Sequence, residues 1–209
     1  MKTILLVGTT GLVGRCVLQQ VLADTRVVRV VALTRRPLSV HPKLENPVLD
    51  FDALPGQAPW WLVDSVICTL GTTLHRAGSK EAFRRVDFEY PLAVAKLAFD
   101  HGAQTFALNS SLNADPAAKA LYLRTKGEVE QALQKIGYTS LTIVRPSLLG
   151  GARSEFRLGE RLATFFLTVF GPLTPRRYRI VPAERVARAL VEAALAAPAG
   201  CHVIESEMI

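Results

Sequence analysis

The stretch Ile4-Leu5-Leu6-Val7-Gly8-Thr9-Thr10-Gly11-Leu12-Val13-Gly14 constrains this chain more than any other. An apolar run of strand length breaks at Gly8, and glycines recur at Gly11 and Gly14. A helical period then sets in, with Val13, Val17, Leu18, Val21 and Leu22 on one face. Strand, glycine turn and helix in that order build the turn that cradles a pyrophosphate. The first glycine allows the tight bend, the second lets backbone approach the anion, and the third lets helix pack on strand. The helix N-terminus adds free N–H groups and about half a positive charge. The expected nucleotide-facing residues are Gly8, Thr10, Gly11, Leu12, Val13 and Gly14. A glycine trio by itself says little; its place between strand and helix makes a nucleotide site the leading reading.

The chain continues in the same alternation. Strand patterns cover 2–7, 29–34, 47–50, 65–70, 105–109 and 140–144, and amphipathic helical patterns cover 12–23, 80–101 and 117–136. Continuous Val/Ile/Leu strands between helices imply an α/β fold with a parallel sheet covered on both faces. Right-handed crossovers make it a doubly wound Rossmann arrangement, with its ligand crevice beyond the strands' carboxyl ends. At 209 residues and 49% hydrophobic content, one domain over 1–209 is expected, with 147–209 forming a small C-terminal lobe on the substrate side. There, 155–170 reads as a helix stopped by Gly171-Pro172, 171–179 as a Pro/Arg-rich surface loop, 183–197 as a helix and 201–204 as a short strand.

Composition removes several classes of function. The three cysteines, Cys16, Cys68 and Cys201, are odd in number, far apart and without ligand spacing. A reduced, cytoplasmic protein with no structural metal is expected rather than a disulfide framework. The apolar run after Met1-Lys2 is too short for a signal peptide and ends in Gly-Thr-Thr-Gly, and Leu162 to Phe170 is too short to span a bilayer. The net charge is +7, and Arg145, Arg153, Arg157, Arg161, Arg176, Arg177, Arg179, Arg185 and Arg188 crowd the last third. No zinc finger, helix-turn-helix or aromatic RNA motif accompanies them, so attraction of an anionic cofactor or substrate explains the charge better than nucleic acid.

Tyr122 and Lys126 lie four apart on one helical pattern and share a face. A phenol ionises near pH 10, too high for a base at neutrality, but an adjacent ammonium stabilises the phenolate and makes a tunable proton donor. Such pairs also arise by chance, as a half-buried tyrosine beside a surface lysine. Ser110-Ser111, ending a strand shortly before, supplies the context. Neighbouring strand side chains point to opposite faces, so one hydroxyl faces a crevice while the other is left for a cap or turn.

With these residues in view, the chain resembles the short-chain dehydrogenase/reductase superfamily in its atypical or extended group. The resemblance rests on Gly8-x-x-Gly11-x-x-Gly14, Ser110-Ser111, Tyr122-x-x-x-Lys126 and Val144-Arg145-Pro146 in that order. Cys68-Thr69-Leu70-Gly71-Thr72-Thr73 and the run from Tyr122 to Glu130 are similar to its small Tat-interacting-protein oxidoreductase branch. The resemblance implies a NAD(P)-binding oxidoreductase. Tyr122 would protonate the carbonyl oxygen as hydride arrives, and Lys126 would hold the nicotinamide ribose and sharpen the acidity of Tyr122. Ser111, with Ser110 as fallback, would orient the carbonyl. Leu70, Gly71 and Thr72 would approach the adenosine ribose and pyrophosphate, and Pro146 with Ser147-Leu148 would border the nicotinamide. Members with a fourth catalytic residue carry an asparagine on the middle helix; here Asp87 stands near that place.

Cofactor choice follows from charge. NAD enzymes place a carboxylate after the second strand to accept from the ribose 2′-hydroxyl. Here that end reads Thr34-Arg35-Arg36-Pro37, an arginine fork suited to a 2′-phosphate, so NADP(H) is expected over NAD(H). The alternative is a pair of solvent arginines. Asp50 fits an adenine amino group or a turn cap equally well. The short C-terminal stretch favours a small carbonyl or hydroxyl substrate over a sugar nucleotide. A non-catalytic NADP(H)-binding redox sensor or assembly protein is the competing function, and a homodimer is compatible with either.

Overall fold

The apolar runs become neighbours in one sheet. A computed structural model describes residues 1–150 and 175–209. Its main sheet contains β1 (Lys2–Val7), β2 (Val27–Leu33), β3 (Leu44–Glu45), β4 (Ser65–Cys68), β5 (Thr105–Asn109), β6 (Ser140–Arg145) and β9 (Gly200–Glu205). These seven strands lie in the order β3-β2-β1-β4-β5-β6-β9. Every pairing is parallel. A second, two-stranded sheet joins β7 (Leu149–Gly150) to β8 (Val181–Pro182).

Strand alternation divides the core into two layers. Ile4, Leu6, Val30, Ile67, Ala107 and Val144 face one side, against Val17 and Val21 of α1 (Leu12–Ala23) and Val186 and Leu190 of α6 (Ala183–Ala196). Leu5, Val7, Val31, Val66, Phe106 and Ile143 face the other, against Val94 of α4 (Tyr90–Asp100) and Val129 and Leu133 of α5 (Leu121–Gln134). In α6 the buried positions Ala183, Val186, Ala187, Leu190, Val191 and Ala194 recur at helical spacing, which seats it beside α1. From Ala183 onward, therefore, the chain completes the main sheet and its helical cover. The register sets Val7 level with Leu33 and Cys68, and Cys68 level with Leu108. The loops that leave those ends open on one edge of the sheet, where a Rossmann crevice forms.

Three expected elements differ. The helix expected over 80–101 is interrupted: after the one-turn α2 (Leu74–Ala77), α3 (Lys80–Arg84) and α4 flank a π turn at Arg85–Glu89. The extra residue in a wide turn rotates the chain, and here it buries Asp87 while Phe83 and Val94 stay in the core. The strand expected over 47–50 is reduced to a single bridge between Thr34 and Val48, and β3 lies earlier. The Asn46 side chain takes the place of ladder bonds: its Nδ2 donates to Ala32 O at 2.7 Å and Thr34 Oγ1 at 2.8 Å, and its Oδ1 accepts from Leu38 N at 2.8 Å. α5 starts at Leu121 rather than near 117, because Asp115 holds a preceding turn by accepting from Ala117 N at 2.8 Å. The helix expected over 155–170 lies outside the described residues, as do 171–174 of the expected surface loop, whose remainder holds the short turn Arg176–Tyr178. Among the described residues no helix is long and apolar enough to cross a membrane, and no group of side chains could hold a metal ion.

Candidate active site

The glycine turn is held by backbone contact. Gly8 has φ +88, and a Cβ there would lie 2.5 Å from the Thr69 carbonyl carbon in the loop after β4. A Cβ on Gly14 would lie 2.1 Å from Gly8 O, so α1 meets β1 only because both positions are glycine. Thr69 braces the crossing, its N–H and Oγ1 both donating to Val7 O at 2.9 Å. Gly11 is the N-cap of α1, with no side-chain cap and no acidic residue in the first turn. The first N–H groups of α1 thus stay available, as an anion site requires. Thr9 is 2% exposed, and its hydroxyl finds no partner among the described residues. Nothing in the sequence separated Thr9 from Thr10. A bare N-cap, an uncapped helix start and an orphaned hydroxyl fit a pyrophosphate.

Arg35 and Arg36 follow β2 and are exposed, and neither guanidinium has a partner among the described residues. Their loop is ordered from beneath, Thr34 Oγ1 donating to Arg36 O at 2.7 Å and itself accepting from Asn46. Asp50 is exposed, and its Oδ1 accepts from Asp52 N at 3.0 Å, capping the short turn Phe51–Ala53. Its expected adenine role and its capping role thus meet in one carboxylate.

The β5, β6 and α5 residues form the opposite wall. Ser110 is buried, and its hydroxyl donates to Glu130 on α5. Ser111 is half-buried, and among the described residues its hydroxyl makes one weak bond, to Leu112 O at 3.3 Å. Tyr122 is 42% exposed; its ring lies 6.1 Å from that of Phe83, and its hydroxyl has no hydrogen bond among the described residues. Lys126, one turn on, is buried, and its Nζ lies 2.9 Å from Asp87 Oδ1. Asp87 Oδ2 accepts from Thr72 N at 2.8 Å, tying the Leu70-Gly71-Thr72 loop to the same charge pair. Burial pulls the Lys126 ammonium down, but Asp87 and Tyr122 outweigh it and hold Lys126 above the ordinary lysine range. Pro146 is buried, and its carbonyl accepts from Leu112 N at 2.9 Å, joining the loops after β5 and β6.

Two further features escaped the sequence reading. Glu130 accepts from Arg145 Nε at 3.1 Å and also from Arg145 Nη2, while Arg145 Nη1 donates to Glu205 Oε1 at 3.0 Å. The ends of β5, β6 and β9 are therefore clamped together behind the serine pair. Gly127 lies against the loop after β5, where a Cβ would come 2.2 Å from Pro116 N. Glu130, one turn beyond Lys126, was the available signal for the first; nothing local marked the second.

No family model matches. Protein HTATIP2 of Rattus norvegicus is 36% identical over 177 residues, covering 82% of this chain and 72% of that protein. The fmp52 protein of Emericella nidulans, named as mitochondrial, is 31% identical over 179 residues, covering 82% of this chain and 77% of its own. The structure of MoeE5 in complex with UDP-glucose and NAD superposes with a TM-score of 0.72 at 16% identity, over 96% of this chain and 74% of that one. The cytoplasmic setting expected from the cysteines is corrected here: the fungal relatives carry a mitochondrial designation, and free thiols suit that interior as well. The glycine turn, the seven-stranded parallel sheet and the identity to these relatives together show that this chain belongs to the HTATIP2/FMP52 branch of the atypical short-chain dehydrogenase/reductase proteins, with their NAD(P)-binding Rossmann fold.

Proposed function

We propose that the protein is an NADP(H)-dependent oxidoreductase acting on a small carbonyl or hydroxyl substrate, with Tyr122 as its general acid and base. The observation that carries this reading is the half-open Tyr122 one helical turn from buried Lys126, which abuts the loop leaving β4. Lone surface pairs do not bury their lysine.

The first turn of α1 and the bare backbone around Gly11 hold the pyrophosphate, with Thr10, Leu12 and Val13 beside it. Leu70, Gly71 and Thr72 border the adenosine ribose, and Asp50 retains Oδ2 for the adenine amino group. Lys126 donates to the nicotinamide ribose, and Pro146 closes that end. The bound dinucleotide supplies or accepts the hydride. Tyr122 gives its phenolic proton to the substrate oxygen in reduction and takes one back in oxidation. Ser111, whose hydroxyl makes a single weak bond among the described residues, donates to the same oxygen, while Ser110 stays committed to Glu130. The residues around Ser147 and Arg176–Tyr178 form the substrate-side lobe, and their cationic character favours anionic ligands.

Arg35 and Arg36 read the 2′-phosphate. Each charge-assisted hydrogen bond contributes about 1.5–3 kcal/mol. Replacing both, Arg35→Glu with Arg36→Glu, lowers NADPH affinity by about 100-fold or more while NADH affinity stays level or improves, measured by titration calorimetry. Equal loss for both cofactors would reject the NADP(H) assignment. Consumption of NADPH across a carbonyl panel tests catalysis itself; tight binding with no consumption points to the redox-sensor function instead.

A further inference from the structure

Asp87 occupies a position with no counterpart in a simple tyrosine–lysine mechanism. Its carboxylate is fully buried at a π turn, reaches Lys126 Nζ with one oxygen and the Thr72 N–H with the other, and so spans two walls of the crevice. The ion pair is enclosed, with side-chain exposures of 4% for Lys126 and 0% for Asp87. The titratable groups facing Lys126 are Tyr122 on its own helix, Asp87 on the π turn and Cys68 on β4. Burial pushes the Cys68 thiol up to about 11, so it is neutral near physiological pH. Asp87 is then the resident negative charge beside this ammonium.

We propose that Asp87 is a positioning residue for the dinucleotide: it keeps Lys126 charged inside the protein and locks it to the Leu70-Gly71-Thr72 loop, so that both ends of the ribose-binding wall are set before cofactor arrives. The proposal rests on the reading that Lys126 holds a dinucleotide. Its consequence is a pH response that a merely structural aspartate would not produce. With Asp87 present, Lys126 stays protonated across the range in which the protein is handled. With asparagine there, desolvation is opposed only by the weaker influence of Tyr122 and Cys68, and fully buried lysines without a counter-ion lose their proton up to about 3–5 units early. A neutral Lys126 has one donor fewer and no charge to offer the ligand.

The test is NADPH titration of native protein and Asp87→Asn by calorimetry, from about pH 5.5 to 9, a window spanning that lowered lysine range. The ratio of the two dissociation constants cancels titration of the ligand's own phosphate. The expected result is a ratio that climbs at least about tenfold as pH rises through the displaced lysine ionisation, since one pH unit past it leaves a tenth of the lysine charged. A ratio constant with pH overturns the proposal. A thermal-stability cycle of Asp87→Asn, Lys126→Met and the double variant, which buries no charge, covers a single variant that does not fold. Removing one partner of a buried pair destabilises more than removing both. The double variant therefore recovers stability lost by Asp87→Asn; a double variant no more stable than Asp87→Asn overturns the counter-ion role. Native protein that binds no NADPH would instead reject the functional reading, and the stability cycle would still judge Asp87.

Discussion

Tyr122→Phe will lower turnover by about 10²–10⁴-fold, the range general acid–base groups contribute, and leave NADPH affinity within about twofold. The substitution removes one oxygen from an exposed side chain whose hydroxyl makes no hydrogen bond among the described residues, so no buried partner is orphaned. The ring keeps its packing against Phe83 at 6.1 Å and its half-open position. Lys126 keeps Asp87, and the cofactor wall is untouched. Loss therefore falls on kcat, in steady-state NADPH oxidation alongside calorimetric binding. Equal activity in the variant would remove Tyr122 from the mechanism, and loss of both activity and binding would make it a structural residue.

The second large effect comes from Gly14→Ala. The new methyl would lie 2.1 Å from Gly8 O and 2.7 Å from both Gly8 C and Thr69 Oγ1. Two of these are backbone atoms of the turn itself, so α1 must move off β1. Overpacking of a tight core costs about 1–3 kcal/mol, which corresponds to roughly 2–12 °C in Tm for a chain of this size. The displaced turn also loses its aim at the pyrophosphate, and NADPH affinity falls by more than about tenfold, the equivalent of about one lost charge-assisted hydrogen bond. Gly11→Ala is the informative contrast. Among the described residues its methyl would meet Gly8 O alone, at 3.3 Å, so Tm holds nearly steady while binding weakens because the ligand's approach is obstructed. A Gly14→Ala protein with native Tm and native affinity would contradict the packing account of the turn.

How far the fold was legible follows from where each element finds its partners. β1 and α1 match their expected limits, because a continuous apolar strand, a glycine break and a helical stripe are all local signals. β5 does too, for the same reason. The π turn was not legible, since its cause is a buried carboxylate seeking an ammonium on another helix. The 47–50 strand failed because Asn46 satisfies the backbone that a ladder would otherwise pair, and an asparagine's partners cannot be read from its neighbours. In the candidate site, the tyrosine–lysine spacing, the serine pair and the glycine turn were legible as motifs. The resemblance favoured Ser111 over Ser110, but the hydrogen bond that commits Ser110 to Glu130 was not legible, because it depends on Glu130 and Arg145 across the sheet edge. Gly127 was equally silent, being required by Pro116, which precedes it in a loop rather than in its own helix.

The most direct measurement is a pair of calorimetric titrations of the native protein, with NADPH and with NADH under the same salt and pH. One NADPH per chain, bound at least about tenfold more tightly than NADH (1.4 kcal/mol or more), is the predicted result. Absence of heat and of fluorescence change with either nucleotide at millimolar concentration would contradict the account at its root.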